Sequence, residues 1–149
     1  MHIEESILID RPIEAVWEYT TDIHNFPQWQ TDVKEIRKLT EGPVGAGTRA
    51  VDVREMFGRK MEQTMEITTF DPPHRFEARS VEGPMEVEVA YLFEPAGDST
   101  RVKTVVDGEP GGLFKLAGPV LKMMASRQTR GELGKLKEIL EGQKGGGYG

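Results

Sequence analysis

The chain contains no cysteine, which excludes disulfide bonds, thiolate metal sites and cysteine nucleophiles. Histidine is also scarce, with only His2, His24 and His74 among the 149 residues. Three histidines so far apart in the sequence do not form a metal-ligand motif. We therefore expect neither a metal ion nor any other cofactor.

Long apolar runs are missing as well. No stretch approaches the roughly 20 apolar residues that span a bilayer, and the first strand-like segment begins too close to Met1 to leave room for a signal peptide. The formal net charge of −6 argues against nucleic acid as a partner, because phosphate contacts require clustered Lys and Arg. We expect a cytoplasmic protein without stable membrane insertion.

The local signals near the start of the chain predict one strand followed by two short helices. The segment "HIEESILID" alternates imperfectly between polar and apolar residues, as a half-buried strand does, and "DRPIEAVWEYT" places Pro12 in the first turn of a helix. Asp22 is a natural N-cap for "IHNFPQW", which Pro27 restricts to a turn or two.

The rest of the chain predicts six more strands and one long helix. Five turn signals separate the strands from Thr31 onward, at 42–47, 57–58, 71–74, 82–84 and 95–98. Helical spacing of apolar residues then predicts a C-terminal helix from Val120 to Glu141. We assign residues 1–141 to a single domain and the glycine-rich residues 142–149 to a flexible tail.

Two segments alternate clearly enough to assign their faces. The apolar residues of "PMEVEVAYLFE" share one face: Met85, Val87, Val89, Tyr91 and Phe93. In "RKMEQTMEITTF" the same rule predicts an inward set: Met61, Gln63, Met65 and Ile67. Methionine is unbranched and adaptable, so four further methionines could help to line a pocket or simply fill a core: Met56, Met85, Met123 and Met124.

Several segments together resemble the START and polyketide-cyclase superfamily (SRPBCC), of the polyketide cyclase/dehydrase and lipid transport type. They are "IDRPIEAVWEYTTDIHNFPQW", "GAGTR" before a strand, "EITTFDPPHRFEAR" across one hairpin, and "LGKLKEILEG" near the end. The resemblance implies an α+β helix-grip fold, in which a seven-stranded curved antiparallel sheet wraps around a long C-terminal helix and two short helices follow the first strand. It also implies an apolar cavity that binds hydrophobic small molecules such as lipids, sterols or polyketides.

Part of the wall of such a cavity follows from the strand faces assigned above, and the second short helix and the C-terminal helix supply the rest. The residues expected to contact a ligand are Phe26, Trp29, Met61, Gln63, Met65, Ile67, Val87, Val89, Tyr91, Leu121, Met124 and Gln128. Four polar groups are expected either to meet the polar end of the ligand or to hydrogen-bond to one another or to water: Gln63, Tyr91, Gln128 and Thr129.

Some members of the superfamily catalyse cyclisation, dehydration or aromatisation with an arginine, a tyrosine and several tryptophans around a narrow pocket. The corresponding strand here carries Met61, Gln63, Met65 and Ile67, a mainly aliphatic wall without a positioned acid or base. We therefore favour a binding protein over an enzyme. Arg49 and Asp52 could also face the cavity, but their strand alternates poorly; an inward carboxylate near Tyr91 or an arginine would favour catalysis.

Three functions stay open at this point. The first is binding or transport of a hydrophobic small molecule between the sheet and the C-terminal helix. The second is a cyclase or dehydratase that uses the same cavity, and the third is a protein-interaction module. The cations of the C-terminal helix, next to the apolar residues 113–121, could support transient contact with an anionic membrane, although a solvated helix face explains the same pattern.

The segment "AVWEYTTDIHNFPQW" concentrates aromatic residues in a chain that is poor in them. We expect Trp17 to anchor the first helix to the sheet and Asp22 to cap the next one. Phe26 and Trp29 are expected at the mouth of the cavity. No catalytic role is assigned to His24.

Overall fold

The computed structural model describes residues 1–56, 58–109 and 118–145. Its seven strands are β1 (His2–Ile9), β2 (Val33–Lys38), β3 (Arg49–Met56), β4 (Arg59–Asp71), β5 (Arg75–Glu82), β6 (Glu86–Ala96) and β7 (Ser99–Glu109). Its helices are α1 (Ile13–Thr21), α2 (Phe26–Trp29) and α3 (Gly118–Gly145), with a 3-10 turn over Ile23–Asn25. The predicted strands, the two short helices and the turns at 42–47, 71–74, 82–84 and 95–98 are confirmed, whereas Phe57 of the turn predicted at 57–58 lies outside the described residues.

The strands form one antiparallel sheet in the order β1-β7-β6-β5-β4-β3-β2. From β2 to β7, each strand pairs with the next one along the chain, and β1 pairs with β7 at the opposite edge of the sheet from β2. The inner face of the sheet packs against α1 and α3. This arrangement is the predicted α+β helix-grip fold.

The start of the chain folds as its capping signals predict. Pro12 precedes α1, and the side chain of Asp22 accepts a hydrogen bond from the backbone N–H of His24 at 3.0 Å. That cap begins the 3-10 turn, and Pro27 lies in the first turn of the four-residue α2. Because a proline is tolerated only near a helix N-terminus, the two short segments do not merge into one helix.

Helix α3 is longer than predicted at both ends. It begins at Gly118, with Pro119 in its first turn, and continues through Gly145, so residues 142–145 of the predicted tail are helical, and residues 146–149 of it lie outside the described residues. Contacts with β1 and the following loop hold this end: Arg11 Nη1 donates to the carbonyl of Leu140 at 2.9 Å, and Asp10 N–H donates to Glu141 Oε2 at 2.8 Å. Within the described ranges, no helix has the length and apolarity needed to cross a bilayer.

The core lies between the inner face and the two longer helices. Trp17 of α1 makes edge-to-face contacts with Phe70 and Phe93, with ring centroids 5.3 and 5.2 Å apart. Leu133 and Leu136 of α3 are fully buried in the same cluster. The predicted anchoring role of Trp17 is confirmed, and burial of these apolar groups fixes both helices on the sheet.

Candidate functional site

The register between β3 and β4 determines which side chains of β3 face inward. Asp52 lies directly opposite Gln63, and Arg54 lies opposite Met61. Residues directly opposed in an antiparallel pair point to the same side of the sheet. Asp52 and Arg54 therefore lie on the inner face, together with the predicted wall of β4.

Asp52 and Arg54 form an ion pair within the fold. Arg54 Nε lies 2.9 Å from Asp52 Oδ2, and Arg54 Nη2 donates to Gln30 Oε1 at 3.1 Å. Asp52 is only 8% exposed. The wall of β4 is mainly aliphatic as predicted, but Asp52, whose face could not be assigned from the sequence, lies inward with Arg54, so the inner face as a whole also carries an acid and a cation.

A second carboxylate reaches this region from α3. Glu132 Oε2 accepts hydrogen bonds from the backbone N–H of Thr31 at 3.2 Å and from Gln128 Nε2 at 3.3 Å. Burial raises the pKa of Glu132, although the charge of Arg54 and these hydrogen bonds act in the opposite direction. Burial also works against the charge on Arg54, but attraction to Asp52 and Glu132 outweighs it and raises the pKa of the guanidinium.

Tyr91 of β6 lies beside these charges. Burial, and then the negative charge of Glu132, raises the pKa of Tyr91 well above its ordinary value, while Arg54 acts against the shift. The phenol therefore stays protonated at neutral pH and can donate a hydrogen bond. We call Gln30, Asp52, Arg54, Tyr91, Gln128 and Glu132 the inner polar cluster.

Two buried polar atoms of this region have no hydrogen-bond partner among the described residues: Asp52 Oδ1 and Trp29 Nε1. Trp29 packs edge-to-face on Tyr91, with ring centroids 5.8 Å apart, so its indole lies next to the inner polar cluster. Buried polar groups are almost always satisfied by protein, water or ligand. The site thus presents one unfilled acceptor and one unfilled donor.

Most of the predicted ligand-contacting residues share the inner face. Ile67 and Tyr91 are buried there, and five more are partly buried: Met61, Gln63, Met65, Val87 and Val89. The amide of Gln63 is already engaged, since its Oε1 accepts from the backbone N–H of Met85 at 3.1 Å and its Nε2 contacts Met65 Sδ at 3.7 Å. Leu121 and Gln128 of α3 are partly buried as well, and Thr129 is buried.

Three of the predicted positions differ from expectation. Trp29 is 2% exposed, so its ring belongs to the packed core and does not form an open mouth. Phe26 contacts Trp29 edge-to-face, with ring centroids 5.7 Å apart, but is only partly buried against the core, so its place at a mouth stays a prediction. Met124 is 46% exposed and Met123 is 55% exposed. Both methionines are therefore largely exposed to solvent and do not line the inner face.

The histidines take no part in this site. The His24 side chain is exposed, and His74 Nδ1 lies 3.5 Å from the carbonyl of Phe93 in a turn. His2 Nε2 lies 2.9 Å from Glu4 Oε2, and its other ring nitrogen contacts Asp107. Over the parts of the chain that the structure describes, no three acidic or histidine side chains are grouped as metal ligands.

Sequence reasoning missed Gln30, Arg54 and Glu132. A weak signal was present for Arg54: Asp52 and Arg54 are two residues apart, so in a strand they must share a face. Which face that is depends on pairing with Gln63 and Met61, which only the fold decides.

The sequence of this chain matches a known protein family and a bacterial relative. The family described as polyketide cyclase/dehydrase and lipid transport matches residues 1–141. A 17.2 kDa Streptomyces lincolnensis protein from the melC2-rnhH intergenic region, described as uncharacterized, is 29% identical over 149 residues, which cover 98% of this chain and 95% of the relative.

Two solved structures are similar in fold. The Zhui aromatase/cyclase from Streptomyces sp. R1128 matches with a TM-score of 0.80 at 16% identity, covering 96% of this chain and 94% of the other. A START superfamily protein from Mycobacterium smegmatis matches with a TM-score of 0.77 at 18% identity, covering 94% and 97%. Because the family match extends over residues 1–141, this chain belongs to the polyketide cyclase/dehydrase and lipid transport family and has a START-like fold.

Proposed function

We propose that this protein binds an apolar small molecule between the inner face of the sheet and α3, with a hydrogen-bonding end of the ligand in the inner polar cluster. The observation that carries the proposal is the pair of unfilled polar atoms, Asp52 Oδ1 and Trp29 Nε1, on a face that is otherwise largely apolar. A ligand hydroxyl can donate to the carboxylate, and a ligand oxygen can accept from the indole N–H; either contact would fill a hydrogen bond that the described residues leave open.

The rest of the ligand would meet apolar side chains. Met61 and Met65 of β4 and Val87 and Val89 of β6 remain partly exposed on the same face. Methionine adapts to ligands of different shape, and pockets of this kind combine apolar walls with a few polar groups that orient the ligand. We therefore expect the protein to select ligands by their size and by a single polar end more than by their detailed shape.

The test compares two ligands that differ only in a hydroxyl, 1-naphthol and naphthalene, by titration calorimetry. We expect 1-naphthol to bind about tenfold more tightly, since a hydrogen bond to a buried charged group contributes about 1.5 kcal/mol or more. Asp52→Asn should reduce this preference, whereas the exposed turn variant Asp98→Asn should keep it. Equal affinity of the wild type for both ligands, or no binding of either, would contradict the proposal.

A second candidate is a cyclase or dehydratase in the same site, and the inward Asp52–Arg54 pair favours it. The guanidinium of Arg54 could stabilise negative charge that develops on a carbonyl oxygen, and the protonated phenol of Tyr91 could donate a hydrogen bond to it. Loss of water from a linear 1,3,5-triketone, followed by mass spectrometry, would support catalysis if Arg54→Lys abolished it. Recovery of unchanged triketone would leave binding as the function.

A further inference from the structure

The sheet splits between β5 and β6. These two strands pair only where Arg75–Arg79 lie opposite Leu92–Glu88. Beyond that point the end of β5 follows β4, with Ser80 opposite Met65, whereas the start of β6 follows β7, with Val87 opposite Gly108. The two strands therefore part over residues 80–87, next to the turn that joins them, whereas other strand pairs of the sheet show no more than local register irregularities.

A cleft of about 570 Å³ lies at this split. Some of its lining residues belong to the inner face: Ser80, Met85, Val87 and Gly108. Others belong to the outer face: Arg79, Val81, Glu86 and Glu88. Since side chains alternate between the two faces of a strand, this cleft is lined by residues from both sides of the sheet.

Side chains bridge the split where backbone hydrogen bonds are missing. Ser80 Oγ accepts from the backbone N–H of Val87 at 2.9 Å, and Gln63 Oε1 accepts from the backbone N–H of Met85 at 3.1 Å. Gly83 turns the chain at a φ of +138°, so close to Gln63 that a Cβ would lie 2.8 Å from its Cγ. Opening the split therefore breaks few hydrogen bonds and leaves the neighbouring hairpins paired.

The rim of the cleft is acidic. Glu82, Glu86 and Glu88 line it and have no ion-pair partner among the described residues. The one arginine of the rim, Arg79, is engaged with Glu66 at 3.3 Å. The lining also holds two other cationic groups: the N-terminal ammonium of Met1, which donates to the carbonyl of Gly108 at 2.9 Å, and His2, which contacts Asp107. The four carboxylates of the lining outnumber its cations, so an anionic ligand approaching the cleft meets a net negative charge that does not act on an uncharged molecule.

We propose that the cleft between β5 and β6 is a passage through the sheet, by which uncharged apolar molecules reach the inner face. The proposal rests on the proposed binding function, because the passage has a role only if a ligand occupies the inner face. Ser80 and Gln63 close the passage with their side chains, and the acidic rim selects against carboxylates and other anions.

Cysteine pairs test the passage, since the chain has no cysteine of its own. Ser80→Cys/Val87→Cys would tie β5 to β6 across the split, at the position where the next opposed pair would stand. The matched control is Leu92→Cys/Lys103→Cys, an opposed pair on β6 and β7, where the strands are already fully paired. Binding of the neutral probe N-phenyl-1-naphthylamine is followed by stopped-flow fluorescence with each variant oxidised and then reduced.

We expect oxidation of the Ser80/Val87 pair to slow association and dissociation of the probe about tenfold and reduction to restore both rates, with no such change in the control. Ser80→Ala, which removes one bridge, should increase both rates. Equal rates in the oxidised and reduced forms would overturn the passage while leaving the binding function intact. If the protein without the disulfide does not bind the probe at all, both the proposed binding function and the proposed passage are wrong.

A separate experiment tests whether the rim of the cleft discriminates against anionic ligands. The anionic relative 1-anilinonaphthalene-8-sulfonate should associate about tenfold more slowly than the neutral probe at low salt, and the two association rates should converge as added salt screens the charges of the rim. Glu82→Gln/Glu86→Gln should reduce the difference between the two rates, whereas Glu14→Gln/Glu18→Gln, the same charge change on α1, should not. An equal effect of both pairs would attribute the repulsion to net charge and overturn selection at the rim.

Discussion

Replacing Arg54 by methionine tests whether the inward ion pair is a structural element. The substitution keeps much of the side-chain volume but leaves Asp52 without the guanidinium that lies 2.9 Å from its carboxylate. Removing one partner of a fully buried pair costs about 3–5 kcal/mol, because the remaining charge stays desolvated. The Arg54 side chain is 31% exposed, however, so water can reach the vacated position and the cost is smaller.

We therefore expect Arg54→Met to lower the free energy of unfolding by about 2 kcal/mol. For a domain of this size that corresponds to a fall in Tm of about 4–8 °C. The double variant Asp52→Asn/Arg54→Met should be less destabilised than the sum of the two single variants, because position 52 then carries no charge that has lost its partner.

Urea unfolding of the four proteins measures this coupling. Arg49→Met is the matched control on the same strand: it breaks the ion pair with Glu66, but the Arg49 side chain is 51% exposed, so a loss within about 1 kcal/mol is expected. Additive effects at Asp52 and Arg54, or an equal loss in the control, would refute the view that the inward pair differs from a surface ion pair.

Three further predictions concern α3 and the turn at Gly83. Burial raises the pKa of Glu132 above its ordinary 4.5, so its contribution to stability is present at low pH and is lost as the pH rises through the folded-state pKa. Glu132→Gln should therefore gain stability relative to the wild type as the pH rises above 4.5, as measured by urea midpoints at several pH values. Leu136→Ala should cost about 2–5 kcal/mol, since Leu136 is fully buried, whereas Leu39→Ala on the surface should stay within about 0.5 kcal/mol in the same assay. Gly83→Ala should lower Tm in differential scanning calorimetry, because it strains a positive φ and forces Gln63 to move, at a cost of about 1–3 kcal/mol; an unchanged Tm would show that the turn adapts freely.

Much of the fold followed from local patterns. The alternation from Met85 to Phe93 predicted which face of β6 is buried, and the turn signals predicted the hairpins, because both depend on residues close in sequence. Asp22 was identified as a cap for the same reason. The end of α3 could not be identified in this way, because the contacts of Arg11 and Asp10 that hold it come from more than 120 residues away.

The same distinction applies to the candidate site: residues placed by local patterns could be predicted, and residues placed by distant contacts could not. Met61, Met65 and Val87 could be placed on the inner face by counting along their own strands. Trp29, by contrast, was expected at a mouth and is buried, because its environment is set by Tyr91 on a distant strand. The role of Met124 depended on how α3 turns about its axis, which the packing of Leu133 and Leu136 decides.

By itself, the sequence determined the order of elements, the apolar inner face of β4 and β6, and the family. These depend on periodicity and on turn and capping chemistry, which act over a few residues. Only the tertiary structure decided that Asp52, Arg54, Glu132 and Tyr91 meet inside and that β5 and β6 part before the turn at Gly83. The physical reason is register: strand pairing and helix rotation set which side chains share a face and which strands remain unpaired, and both are chosen by packing of the whole chain.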